Sequence, residues 1–290
     1  MKFRSLVLLA CALGVGVAEL PCFATPSWAT TYRGSPDIVE RGAGFRLHYT
    51  EAARPDVAAY RKFLAAGVAT NQAFFAVRYP KPFDVYVYDN RAALDAGRRL
   101  AFKDPSYASP CWLAAIGVAH GVYMLAPVRW EEETCEGRYT TYADKTKTKR
   151  LFTHELTHVL NGQILRAHGR DDGDDIAWFR EGLAMLVAGQ LGPIERREVQ
   201  AALKAGAVPS SLKAISELPN VGLRYNIMGS LALSIDRTFG REKLKALMDV
   251  NSQTAVLSSL GQSEQAFLTS WRRFAADGAF AASAAATGHS

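Results

Sequence analysis

The stretch LFTHELTHVLNGQI, residues 151–164, settles more about this chain than any other. Leu151, Phe152, Leu156, Val159, Leu160 and Ile164 recur at helical spacing, Thr148 stands where it can cap the start, and Gly169 marks the end. Inside that helix sits HELTH, residues 154–158. Positions i and i+4 lie on one face a turn apart, so His154 and His158 can ligate one tetrahedral ion at about 2.0–2.1 Å. Glu155 projects beside that ion rather than onto it, where a carboxylate can accept a proton from water. A helix whose histidines merely face solvent or cap a core is the plain alternative.

A catalytic zinc site needs a third protein ligand and an open fourth position. Downstream of the polar loop GRDDGDD (169–175), the segment IAWFREGLAMLVA (176–188) reads as a second helix, with Asp175 able to cap it and Gly189 or Gly192 able to end it. Glu181 is a lone acid there among Ala177, Trp178, Phe179, Leu183 and Ala184. Its neighbour Arg180 does not face it, since adjacent helical residues diverge, and an unpaired buried carboxylate is costly unless a cation takes it up. The loop acids Asp171, Asp172, Asp174 and Asp175 are the alternative ligands, although an acidic, Gly-containing loop is ordinarily just solvated. A third histidine on the same helix is excluded. Asn161 and Ile164 occupy the places that the HExxHxxGxxH pattern would need, and His168 lies about 15 Å along the helix from His158.

WFREGLA, residues 178–184, resembles the W-x-x-E-G-x-A segment of the gluzincin metallopeptidases, the peptidase MA-like group. The likeness runs from roughly residue 80 to 275. It continues through YNIMGSLAL (225–233), FGREKL (239–244), LGQSEQAF (260–267) and Trp271, in a Y…YG…L…LG…F…W pattern. The resemblance implies that Glu181, 23 residues after His158, completes a His154–His158–Glu181 set for one Zn2+ ion, with Glu155 as general base. It also implies that Tyr225 stabilises a developing oxyanion, with Arg224 as the rival donor and a helix-surface aromatic as the plainer role. The segment GVAHGVYML (117–125) would be the exposed strand that pairs with extended substrate, with His120 on it facing substrate or solvent. The G-x-M-E-N stretch with which aminopeptidase relatives grip a free amino terminus is absent, which favours endopeptidase action.

The amino terminus speaks to location. MKFR (1–4) is a positive n-region, residues 5–18 are a short apolar run, and CFA (22–24) offers a cleavage site after Ala24, with Ala18 and Ala29 as alternatives. The run is too short to span a bilayer comfortably, so a secreted or periplasmic protein is expected. LLAC (8–11) resembles a lipoprotein box, and a lipid anchor at Cys11 is the minor alternative. Cleavage after Ala24 leaves Cys111 and Cys135, an even pair for a disulfide in an oxidising compartment. Such a bridge contributes roughly 3 kcal/mol on the chain-entropy account. The net charge of +6 and the run KTKTKR (145–150) could attract anionic polymers, but a solvated turn is the safer reading, and no nucleic-acid motif occurs.

Elements change character along the chain. Residues 55–77 read as a long helix, FDVYVY (83–88) as a strand, Asn90 as the cap of a helix to Leu100, residues 116–125 as strand material, and nearly everything after residue 150 as helix. The expected fold class is α+β. A segment 25–44 forms a pro-segment or simple strand, 45–169 a mixed lobe carrying the zinc helix, 170–278 a helical lobe carrying the third ligand, and 279–290 a fraying tail; the resemblance implies a thermolysin-like arrangement of these parts. The expected partner is a peptide or protein substrate. A non-catalytic, zinc-stabilised envelope binding or assembly protein on the same scaffold is the alternative.

Overall fold

A computed structural model describes residues 34–135, 144–171, 173–278 and 280. The signal segment, the acylation reading at Cys11 and the candidate ligand Asp172 lie outside the described residues.

The fold is α+β. Five strands, β1 (Ile38–Arg41), β2 (Phe45–Tyr49), β3 (Phe83–Tyr88), β4 (Ala115–Val118) and β5 (Gly121–Leu125), form one sheet in the order β1-β2-β3-β5-β4. The pairs β2–β3 and β3–β5 are parallel, and the flanking pairs β1–β2 and β4–β5 are antiparallel. Interleaved with the strands are α1 (Val57–Phe75), α2 (Arg91–Phe102) and the short α3 (Trp130–Glu133). Then come α4 (Lys145–Ala167), α5 (Ala177–Val187), α6 (Pro193–Lys204), α7 (Leu212–Ser216), α8 (Val221–Phe239), α9 (Arg241–Ala246), α10 (Gln253–Ser259) and α11 (Glu264–Ala276).

Strand β3 occupies the span read from the sequence, because its β-branched and aromatic residues suit a central strand covered on both faces. Asn90 caps α2, accepting from Ala93 N–H at 2.9 Å. Helix α1 starts at Val57, after a 3-10 turn over Glu51–Asp56 capped by Thr50, and stops at Ala76, which sits at φ 51°.

Four expectations are corrected. Asp144, not Thr148, caps α4, accepting from the Thr146 and Lys147 N–H groups at 3.0 and 3.1 Å. A carboxylate there satisfies two orphan donors at the positive end of the helix dipole, so the lysine-rich run becomes the first turns of α4 rather than a solvated turn. Asp175 does not cap α5; it lies in a 3-10 turn over Asp174–Ile176 and accepts from Gln253 N–H at 3.2 Å. Residues 115–125 form a hairpin whose second strand, β5, is interior, so of these two strands only β4 lies at an edge of the sheet. In the expected tail, Phe280 is 4% exposed, and its carbonyl accepts from Arg196 at 3.2 Å.

Two apolar cores meet at α4. Leu151, Phe152, Leu156 and Val159 pack with the sheet and α1, whereas Leu160 packs with the core built from α5 to α11. A helix buried on most of its circumference shows no single apolar stripe, and each fully buried Leu or Phe contributes about 1.5–3 kcal/mol. Helix α4 is thus the wall from which any residue left facing outward looks into the space between the cores. No helix among the described residues is long and apolar enough to cross a membrane.

Candidate metal centre

His154 and His158 project from that open side of α4, and Glu181 reaches them from α5. Glu181 Oε2 lies 3.1 Å from His154 Nε2 and 3.4 Å from His158 Nε2, and the two ring nitrogens are 3.1 Å apart. Four ligands at about 2.0–2.1 Å around a tetrahedral ion are separated from one another by about 3.3–3.4 Å, so the three atoms form a triangle of the size one small ion requires. Among the described residues this is the group of histidines, cysteines and acids that could hold a metal ion.

The chemistry of the donors agrees with the geometry. His154 Nδ1–H donates to Gln190 Oε1 at 2.7 Å, so in the neutral ring Nε2 carries only a lone pair. That lone pair faces the Glu181 carboxylate, an acceptor facing an acceptor, and only a proton or a cation between them makes the contact favourable. Burial pulls the His154 imidazolium down, but Glu181, with the Glu155 charge and Gln190, outweighs it and raises the ring above the ordinary histidine value. Burial likewise works against the Glu181 carboxylate, and His158 and His154 overcome it to hold the group well below the usual range.

Gln190 was not anticipated from the sequence. It follows α5 in a turn where Gly189, at φ 64°, donates to Leu186 O at 3.1 Å and Gln190 N–H donates to Met185 O at 2.9 Å. This glycine-dependent helix end folds the chain back and returns the Gln190 side chain to the site. The Gly-Gln pair at 189–190 was the available signal, but only the docking of α5 on α4 makes it meaningful.

Close approaches position the other elements. A Cβ on Gly182 would overlap the carbonyl of Met228, so the residue after Glu181 must be glycine for α5 to lie against α8. A Cβ on Gly117 would overlap the carbonyl of Glu155, and this closeness lets β4 run along α4. The Gly117 N–H bonds to the Glu155 carboxylate and, with the two histidines, favours its ionised form; burial is the larger effect and raises the group above the ordinary carboxylate value.

These residues line an open cleft of about 710 Å³. His154, Glu155, His158 and Glu181 share it with Tyr225, whose ring centre is 6.2 Å from that of His154. The edge strand contributes Ile116, Gly117 and Val118. Arg224 does not line the cleft itself; its guanidinium lies over the rings of Trp112 and Tyr225 at 5.5 and 5.7 Å and donates to Leu218 O at 3.3 Å. His120 sits at the hairpin turn against the Tyr123 hydroxyl at 2.9 Å, and His168 pairs with Asp249; neither lines the cleft. Asp171 and Asp175 are likewise outside it. Arg180 donates to Gly173 O. Cys111 and Cys135 form the expected disulfide, with a Cα–Cα distance of 5.3 Å, and such a bridge is compatible with an extracytoplasmic location.

Compared with protein-family models, curated proteins and solved structures, the chain finds no match.

Proposed function

We propose that this protein is a secreted or periplasmic zinc-dependent peptidase of the gluzincin type. The observation that carries the reading is the convergence of His154, His158 and Glu181 within one small ion's reach, with the Glu155 carboxylate in the same cleft. Two imidazoles and one carboxylate suit Zn2+, and three protein ligands leave its fourth position open. Such an ion, when bound by these three residues, would supply Lewis acidity that brings the pKa of water toward about 7 and polarises a carbonyl.

The chain's own groups do the rest. Glu155, raised by burial, takes a proton from water and passes it to the leaving amine near neutral pH. Tyr225, whose ring lines the cleft beside that of His154, would donate to the developing oxyanion. Gln190 holds the ring of His154 in the ligating tautomer. The free side of β4 offers main-chain groups to an extended peptide, which fixes the scissile bond over the triad.

The test is peptide hydrolysis by the wild type and by Glu155→Gln, each loaded with stoichiometric zinc. A fall of roughly 10²- to 10⁴-fold in kcat with unchanged metal content is expected. Equal and negligible rates would favour the zinc-stabilised binding protein instead.

A further inference from the structure

The roof of the cleft is a loop with an unusual anchor. Between α2 and β4 the chain has no helix or strand, yet it carries Trp112, which is half-buried, lines the cleft and lies under the guanidinium of Arg224 at 5.5 Å. An aromatic on an unanchored loop would lose most of its contribution to ordering on binding. Here the loop is held at several points, and two of its anchors flank Trp112. The Cys111–Cys135 disulfide ties it to the end of α3. Arg91, the first residue of α2, bridges the same two segments. Its Nε and Nη2 donate to Glu133 O at 3.0 and 2.6 Å, Nη1 to Ser109 Oγ and Pro110 O at 2.7 and 3.1 Å, and Nη2 also to Cys111 O and Leu113 O at 3.0 Å each. A guanidinium devoted to carbonyls on both sides of one disulfide shapes a loop; it neither faces the cleft nor touches the metal triad.

We propose that Arg91 and the Cys111–Cys135 bridge are positioning elements for substrate selection, holding Trp112 as a fixed wall that gives the cleft a preference for a peptide bearing an aromatic or large aliphatic side chain. Leu113, Ile116 and Leu151 line the cleft as well and extend the apolar surface toward His154. The inference rests on the peptidase reading for the identity of the ligand but not for the existence of the wall.

The experiment uses peptides identical except for Phe, Leu or Ala at one varied position, with kcat and KM measured separately and metal content checked for every variant. Trp112→Ala is expected to lower the Phe-to-Ala ratio of kcat/KM on the order of 10- to 100-fold, and Trp112→Phe to retain most of it. Arg91→Ala should lower the same ratio through KM, with zinc content intact. Arg91→Lys should restore little, because an ammonium lacks the planar fork that reaches both segments. If Arg91→Ala fails to fold by circular dichroism, Cys111→Ser/Cys135→Ser with Arg91 intact provides the same comparison. A ratio unmoved by Trp112→Ala, or moved by Trp112→Ala but by neither loss of Arg91 nor loss of the bridge, overturns the proposal. Binding of the same peptides to zinc-loaded Glu155→Gln, read by fluorescence anisotropy, separates the two readings. Trp112-dependent binding of Phe peptides without wild-type hydrolysis sinks the peptidase and keeps the wall, whereas hydrolysis indifferent to the varied side chain does the reverse.

Discussion

Gln190 is what makes the lone pair of His154 available. By accepting from Nδ1–H it leaves Nε2 of the neutral ring facing Glu181, a contact that a proton or a cation makes favourable. Because His154 is raised in the fold, the protonated pair adds stability that is fully present below the ordinary histidine value of about 6.5 and is lost as pH rises through the folded value. Glu181 is lowered, so its contribution is present above its ordinary value of about 4.3 and is lost as pH falls through its depressed one. A metal ion must displace the His154 proton, and Glu181 is already ionised. Zinc affinity is therefore expected to weaken by up to about tenfold per pH unit once pH drops below the raised His154 value, with protons released on binding. Competition with a chromophoric chelator between pH 5.5 and 8.5 measures this, and an affinity flat across that range would contradict it.

At the scale of elements, one glycine decides whether the ligands meet. Gly182 lets α5 approach the Met228 carbonyl on α8, and the same turn of α5 presents Glu181 to α4. Gly182→Val is expected to push α5 off α8, withdraw the carboxylate and lose stoichiometric zinc while the far-ultraviolet circular dichroism of the helices persists. Full zinc retention by that variant would show that α5 is not held where the packing puts it. The EG pair of WFREGLA thus has a physical reading: the acid completes the group that could hold an ion and the glycine sets the helix-to-helix distance. The periodicity of α4 was legible because Leu151, Phe152, Leu156, Val159 and Leu160 are spaced as a helix demands. Its start was not, since Asp144 and Thr148 are both good capping residues and only the path of the chain chooses between them. The hairpin at residues 115–125 was hidden for a similar reason: the two strands are short and abut, and the turn between them carries no Asn-Gly or Asp-Gly signal.

For the whole molecule, the triad links the two packing units. His154 and His158 belong to the helix shared by both cores, and Glu181 belongs to the one built from α5 to α11. An ion bound only by the folded state stabilises it by about 4.1 kcal/mol at a thousandfold excess over Kd. In a chain of this length each kcal/mol shifts Tm by about 2–4 °C, so chelation is expected to lower Tm on the order of 10 °C. Scanning calorimetry before and after dialysis against a chelator, with zinc added back, checks the value. An unchanged Tm would mean that the cation, if bound, does not bridge the cores.

The sequence by itself determined the pair His154 and His158, the neighbouring Glu155, the α+β class and the Cys111–Cys135 pairing. Those readings rest on local periodicity, residue chemistry and cysteine arithmetic. Tertiary structure alone decided that Gln190 reaches His154, that Glu181 lies 3.1 Å from one ring and 3.4 Å from the other, and that Arg91 anchors the wall carrying Trp112. Each of these joins residues far apart in sequence across an interface between elements. Spacing along a chain fixes which residues share a helix face, but the angle and distance at which two helices meet depend on the packed volumes of every side chain between them.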